Sequence, residues 1–232
     1  MKVAVLTVTK RSAWEKIAID SLNRQTFQNF DWIIAAEKQF LDVGVTVSLR
    51  TYCFHSKNKG RVSNLNAALN QGLKNCIDTD YVIFYQDFID LPEDCFEKLI
   101  EAAEETKGFV TTATINSNGK KDSRYTGKNI VRHCNPDEWE SNVAIAPMEA
   151  IRELGGFDED YDNGWSWDNV NIAERAAMIG YKFYIDESNN PRLLYHDKEP
   201  DINPELKPNG EFHTKRISDV KSGKYPLKLK YL

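Results

Sequence analysis

Short apolar runs alternate with amphipathic stretches from the start of the chain to about residue 188. Lys2 to Val8 has the pattern of a buried strand, and Ser12 can cap a following helix in which Trp14, Ile17, Ala18 and Leu22 recur at helical spacing. Trp32 to Ala36 and Val45 to Cys53 read as a second and third strand. Leu65, Ala68, Leu69 and Leu73 then share one face of a helix reaching about Lys74. Tyr81 to Tyr85 is a fourth strand that breaks abruptly into Gln86, Asp87 and Asp90. Pro92 opens a helix to about Glu105, with Phe96, Leu99, Ile100 and Ala103 inward. Phe109 to Ile115 and Val143 to Ala146 are rich in strand formers, and a helix after Pro147 ends at Gly155-Gly156. A further helix begins near Asp168, with Val170, Ala173, Ala177 and Met178 expected inward, and Tyr181 to Ile185 is the last strand. Such alternation predicts an α/β domain on a mostly parallel central sheet flanked by helices. From Asn189 onward proline, asparagine and charge dominate, so 189–232 is expected to be an extension packed on the domain formed by 1–188.

A chain of 232 residues can bury a substantial core without disulfide or metal staples. With 41% apolar and 28% charged residues the composition is that of an ordinary globular protein. A net charge of −5 gives no overall attraction to nucleic acid or anionic membrane. The four cysteines, Cys53, Cys76, Cys95 and Cys134, are scattered without metal-site or redox spacing, which suits reduced thiols acting as small apolar fillers. No apolar run reaches spanning length, and Val3 to Val8 is too short for a secretory core. The expectation is a soluble cytoplasmic protein with no transmembrane segment.

Three stretches carry candidate chemistry. Asp87 and Asp90 follow a strand directly, and ligands of open α/β sheets sit at the carboxyl ends of strands, where carboxylates can hold a cation or a sugar hydroxyl. Asp90, Glu93 and Asp94 suit a helix start equally well. The loop Thr7-Val8-Thr9-Lys10-Arg11 and the segment Lys57 to Asn66 offer hydroxyls, amides and cations where a nucleotide could lie. The first of these has no glycine fingerprint, which argues against NAD and against ATP in a P-loop. The third stretch, Phe157 to Arg175, interleaves Trp165 and Trp167 with acids. Exposed indoles beside carboxylates suit carbohydrate, although either indole could instead be core. Asp168 is a candidate general base or a helix cap. Asn116 to Asn129, with Lys120, Lys121, Arg124 and Lys128, is a cationic loop or hairpin that could receive a diphosphate or an acceptor, or equally be a solvated loop.

Taken in order, these segments resemble a GT-A glycosyltransferase of the family 2 type over about Lys2 to His196. Ser21 to Ile34 is similar to that family's first helix and second strand. Asn58, Gly60 and Asn66 match its Asn-x-Gly segment, and Leu154-Gly155-Gly156-Phe157-Asp158-Glu159 followed by Asp168 to Arg175 resembles its acceptor-side segment. The resemblance implies a Rossmann-like GT-A fold and transfer of a sugar from a nucleotide-sugar donor, UDP-sugar foremost, to an acceptor hydroxyl with inversion. By it, Thr7, Thr9, Arg11 and Glu37 hold the nucleoside, with Asn58, Arg61, Asn66, Gln86 and Asp87 also on the donor. Asp87 or Asp90, with His196, would bind Mn²⁺ or Mg²⁺ across the diphosphate. Asp168 would be the base, with Trp165 and Trp167 on the acceptor. The acceptor is left open among glycan, lipid-linked, protein and nucleic-acid hydroxyls.

The chain departs from that pattern at the metal motif and at the acidic pair. Gln86 and Phe88 stand where two aspartates are usual, and Asn169 and Asn171 stand where acids are common. An amide cannot act as a base at neutral pH. Two alternatives follow: an inactive nucleotide-sugar or carbohydrate binding protein, and, further off, a nucleotidyltransferase, whose glycine-rich basic signature near the N-terminus is missing.

Overall fold

The structure is a computed structural model that describes residues 1–9, 15–36, 48–53, 65–76, 78–194 and 207–232. In chain order its elements are β1 (Val3–Thr9), α1 (Glu15–Asn23), β2 (Phe30–Ala36), β3 (Ser48–Cys53), α2 (Leu65–Leu73), β4 (Tyr81–Tyr85), β5 (Ile89–Asp90), α3 (Cys95–Thr106), β6 (Phe109–Thr112), β7 (Val131–Cys134), β8 (Val143–Pro147), α4 (Met148–Leu154), α5 (Asp168–Met178), β9 (Phe183–Asp186), β10 (Arg192–Leu193) and α6 (Gly210–Lys221). Eight strands form one sheet in the order β3-β2-β1-β4-β8-β6-β9-β7, in which only β8 and β7 run against the rest. β5 and β10 form a separate two-stranded ladder.

Period-two alternation along the strands feeds two cores, one on each sheet face. Ala4 and Leu6 of β1 with Val82 and Phe84 of β4 face Leu69, Leu73, Ile151, Leu154, Ile172 and Ala176 from α2, α4 and α5. Val3 and Val5 with Ile83 and Tyr85 face Ala18, Leu22, Phe96 and Leu99 from α1 and α3. Aromatic rings lock both layers edge to face, Phe84 against Trp139 and Phe157 on the first and Phe30 against Phe96 on the second. β1 lies between β2 and β4, so the chain turns one way out of β1 and reaches β4 on the other side. The crevice outside the carboxyl ends of β1 and β4 is therefore the topological switch point of the sheet, where ligands of open α/β folds bind.

Several elements differ from the sequence expectation. The third helix starts at Cys95 rather than at Pro92, because Ile89 and Asp90 are taken into the ladder with β10. An edge strand, β7, follows the polar 116–129 stretch. α5 buries Asn171, Ile172, Ala173, Arg175 and Ala176, leaving Val170 and Ala177 half-buried and Met178 exposed. The inward face is thus rotated from the one expected, since two polar residues are buried through hydrogen bonds that an apolar-periodicity reading passes over. The C-terminal stretch contains a helix, α6, whose His213, Arg216, Ile217 and Val220 are buried. Its following residues return to the domain, where Leu229 N–H donates to the Leu154 carbonyl at 2.8 Å and Tyr231 N–H to the Gly155 carbonyl at 3.1 Å. Gly155, with φ of 71°, lets that backbone approach, for an added Cβ would stand 2.0 Å from the Leu229 oxygen.

Candidate active site

At the switch point β4 ends in a turn. Ile89 N–H donates to the Gln86 carbonyl at 3.2 Å, the Tyr85 hydroxyl donates to the Ile89 carbonyl at 2.8 Å, and Asp87 occupies the tip. The Asp87 carboxylate accepts from the hydroxyl of Thr9, the last residue of β1, and both residues are buried. Gln86 N–H reaches across to the Asn142 carbonyl at 2.9 Å, and Leu194 N–H to the Phe88 carbonyl at 3.1 Å. The turn is therefore held from both sides. Thr7, also buried, uses its hydroxyl to accept from the Trp32 indole at 3.1 Å. Asp90 faces α1 instead, accepting from Arg24 at 2.5 Å and Ser21 at 3.2 Å, so its charge is already matched by a guanidinium.

The rim beyond β4 carries the second half of the site. Thr111 at the end of β6 donates to the Glu140 carbonyl at 2.7 Å, and Asn169 on the first turn of α5 donates to the Trp139 carbonyl at 2.9 Å. α5 is thereby seated with its N-terminus on the carboxyl side of the sheet, with Asp168 as its first residue. Surrounding atoms push the Asp168 carboxyl up from its ordinary range, opposed by its own N–H and that of Asn169. A raised carboxyl pKa is the direction that suits a base working near neutrality. Trp165 and Trp167, just before it, are each 38% exposed rather than core.

Asn66 lies inside the structure. Its backbone N–H and Nδ2 donate to Asp162 at 2.8 and 3.0 Å, Ala67 N–H donates to the same carboxylate at 3.0 Å, and among the described residues the buried Asn66 Oδ1 has no hydrogen-bond partner. Asp162 thus caps α2 from outside the helix. Asn70 continues the seam, donating to the Phe157 carbonyl at 2.9 Å and accepting its N–H at 2.8 Å. Arg175, fully buried, donates to the carbonyls of Leu154, Gly156 and Leu227 at 3.2, 2.7 and 3.3 Å, and burial lowers its pKa to about 10. In the cationic stretch, Arg124 pairs with Asp122 and Glu140, while Arg132 pairs with Glu187 at 2.8 Å. Burial would raise the Glu187 carboxyl, but Thr126, Arg132 and backbone N–H donors bring it down to about 2. The two arginines hold the loop in place, and Lys120, Lys121 and Lys128 are exposed.

Arg11, Glu37, Asn58, Arg61 and His196 lie outside the described residues. Among the described residues, no three His, Cys, Asp or Glu side chains converge on a point where a metal ion could sit. Asp87 with the Thr9 hydroxyl is instead the kind of sparse donor set that suits a divalent cation held mainly by phosphate oxygens of a ligand. Sequence reasoning singled out Asp87, Asp168 and the tryptophans by their position near strand and helix ends. It passed over the contacts of Asp162 and Asn70, whose partners are distant along the chain.

No protein-family profile matches the chain, and no curated protein sequence does so. Solved structures do. S. aureus TarS residues 1–349 superpose with a TM-score of 0.63 at 12% identity, over 84% of this chain and 60% of that one. The same protein in complex with UDP gives 0.62 at 13% identity over 84% and 61%. GalNAc-T7 with UDP, GalNAc and Mn²⁺ gives 0.66 at 11% identity, over 94% of this chain and 48% of that one. The chain has the GT-A fold. This GT-A chain spans about half to three fifths of the length of the structures it matches. Within the described residues of the GT-A domain, no helix is long and apolar enough to cross a membrane.

Proposed function

We propose that this chain is a glycosyltransferase that takes a sugar from a nucleotide-sugar donor, UDP-sugar foremost, and transfers it to an acceptor hydroxyl with inversion. The observation that carries the reading is the Thr9–Asp87 hydrogen bond at the topological switch point, on the rim that also carries Asp168. Thr9 and Asp87, with Arg11, Glu37, Asn58 and Arg61, hold the donor; Thr7 is held by its hydrogen bond from Trp32. Asp87 and His196 would hold Mg²⁺ or Mn²⁺. When bound, that ion would neutralise charge on the leaving diphosphate. Asp168 takes the proton of the attacking hydroxyl at a carboxylate oxygen, and its raised pKa favours that transfer. Trp165 and Trp167 stack on the acceptor and exclude water from it.

The test is steady-state transfer with Asp168→Asn. Turnover is expected to fall by about two to four orders of magnitude while donor KM holds, the signature of a group acting only in the transition state. A large rise in donor KM would move Asp168 to the donor side. Nucleotide-sugar binding without hydrolysis or transfer across a broad donor and acceptor panel would mark a binding module instead.

A further inference from the structure

The polar stretch between β6 and β7 leaves and rejoins the sheet on one edge. β6 and β9 run in the direction of β4, so Thr112 and Asp186 end at the carboxyl edge, and antiparallel β7 begins there with Val131 opposite Asp186. Residues 113–130 therefore lie on the rim that also carries Asp87. Their underside is a fixed mount. Arg124 pairs with Asp122 and Glu140 and donates to the Glu138 carbonyl at 2.6 Å. Arg132 pairs with Glu187 at 2.8 Å and with Glu138 at 3.7 Å, and donates to the Arg124 carbonyl at 2.6 Å. Glu187, buried, also accepts from the Thr126 hydroxyl at 2.8 Å and from Lys128 N–H at 3.2 Å. Both arginines and all four carboxylates are thus engaged with one another beneath the loop.

The outer surface has a different chemistry. Lys120, Lys121 and Lys128 are exposed, and among the described residues none of them meets a carboxylate. The Lys121 ammonium lies 3.4 Å from the centroid of the Tyr125 ring, and the Tyr125 hydroxyl donates to Asn129 Oδ1 at 2.6 Å. Asn129 takes a left-handed φ of 52°, which turns the chain and presents Ile130 and Val131 next to Lys128, 48% and 37% exposed. Among the described residues this is the one adjacent aliphatic pair so exposed.

Lysines alone would serve to guard the free edge of β7 against strand pairing. A guard needs no aliphatic pair at its tip. Lysines around such a pair match the interface of an anionic bilayer, whose headgroups take the ammonium ions while the acyl boundary takes the side chains. A nucleic acid would instead require free guanidinium groups and open ring faces. Here both arginines are engaged, and Lys121 covers one face of the Tyr125 ring. The net charge of −5 does not oppose such a contact, because charges beyond a Debye length of about 8 Å are screened at physiological salt.

We infer that the loop over residues 116–131 is a docking surface for an anionic lipid bilayer and seats the carboxyl rim of the sheet toward the membrane. The docking stands without the glycosyltransferase reading; resting on that reading, it selects a membrane-borne hydroxyl among the possible acceptors.

The test is co-sedimentation of the full chain with vesicles of phosphatidylcholine alone and of phosphatidylcholine with about 30% phosphatidylserine, alongside UDP calorimetry. The wild type is expected to bind the anionic vesicles about a hundredfold more tightly than the neutral ones, since each lysine near such a surface contributes about fivefold. Lys120→Gln, Lys121→Gln and Lys128→Gln combined should remove that preference. Ile130→Ser should weaken binding to the anionic vesicles about tenfold and leave binding to polyuridylate unchanged. All four side chains are exposed, so these variants should keep the wild-type Tm. Equal wild-type binding to both vesicles, no binding to either, or a preference that survives the triple substitution would overturn the assignment. So would vesicle binding indifferent to Ile130→Ser. Tighter binding to polyuridylate than to anionic vesicles would move the surface to a nucleic acid and refute it. UDP binding without vesicle binding strikes this inference alone, whereas vesicle binding without UDP binding strikes the transferase reading and leaves the docking surface.

Discussion

Asp162 offers a test of how burial and helix capping compete at one carboxylate. It is 7% exposed and accepts three hydrogen bonds from the first turn of α2, two from backbone N–H groups and one from the Asn66 amide. Those donors and the helix dipole favour the charged form and lower the pKa. Removal from water favours the neutral form, with Asp168 nearby adding to it, and burial is the larger effect, raising the pKa from 3.8 to about 6. Below the unfolded pKa both states carry the proton. As pH rises the unfolded chain releases it first, so stability falls with pH until the folded pKa is passed. A shift of about two units at about 1.4 kcal/mol each corresponds to roughly 3 kcal/mol, fully lost above pH 6 or so. Asp162→Asn removes the titration. It also turns one N–H donor onto another at Ala67, a penalty of about 1–3 kcal/mol that does not vary with pH. Urea unfolding of both proteins from pH 4.5 to 7.5, followed by tryptophan fluorescence, separates the two terms. The wild type should lose about 2 kcal/mol relative to the variant across that range, the remainder being lost below pH 4.5. A difference that stays flat, or that grows in favour of the wild type with rising pH, would refute the reasoning, because it would mean that the α2 donors outweigh burial.

Arg175→Met keeps the apolar volume but removes the guanidinium donor from the Gly156 and Leu227 carbonyls and one of two donors from the Leu154 carbonyl, and is expected to lower unfolding free energy by about 2–4 kcal/mol, measured as a shift in urea midpoint at constant slope. Gly155→Ala forces a Cβ against the Leu229 carbonyl at a positive φ; protease nicking near residues 227–232 should accelerate together with a lower Tm. Asp87→Asn should weaken UDP binding about tenfold in Mn²⁺ and abolish the difference that a chelator makes in the wild type. Equal wild-type affinity with and without chelator would remove the cation from the donor site.

Periodicity and punctuation alone determined the order of strands and helices over most of the domain, and with it the carboxyl-end position of Asp87, because alternation at two and at 3.6 residues reports which faces are buried without reference to partners. The sequence also placed Asp168 near a helix start beside two indoles, whose exposure only the structure decided. It did not reveal that Asp162 caps a helix 96 residues away, that Arg175 is an internal staple, or that His213 stacks on Trp167. Each of those depends on groups far apart along the chain, and no local pattern encodes which distant donor will meet which acceptor. The inward face of α5 shows the same division. Its apolar spacing pointed one way, and only tertiary packing supplied the carbonyls of Leu154, Gly156 and Leu227 that make a buried guanidinium affordable and turn the helix to the other.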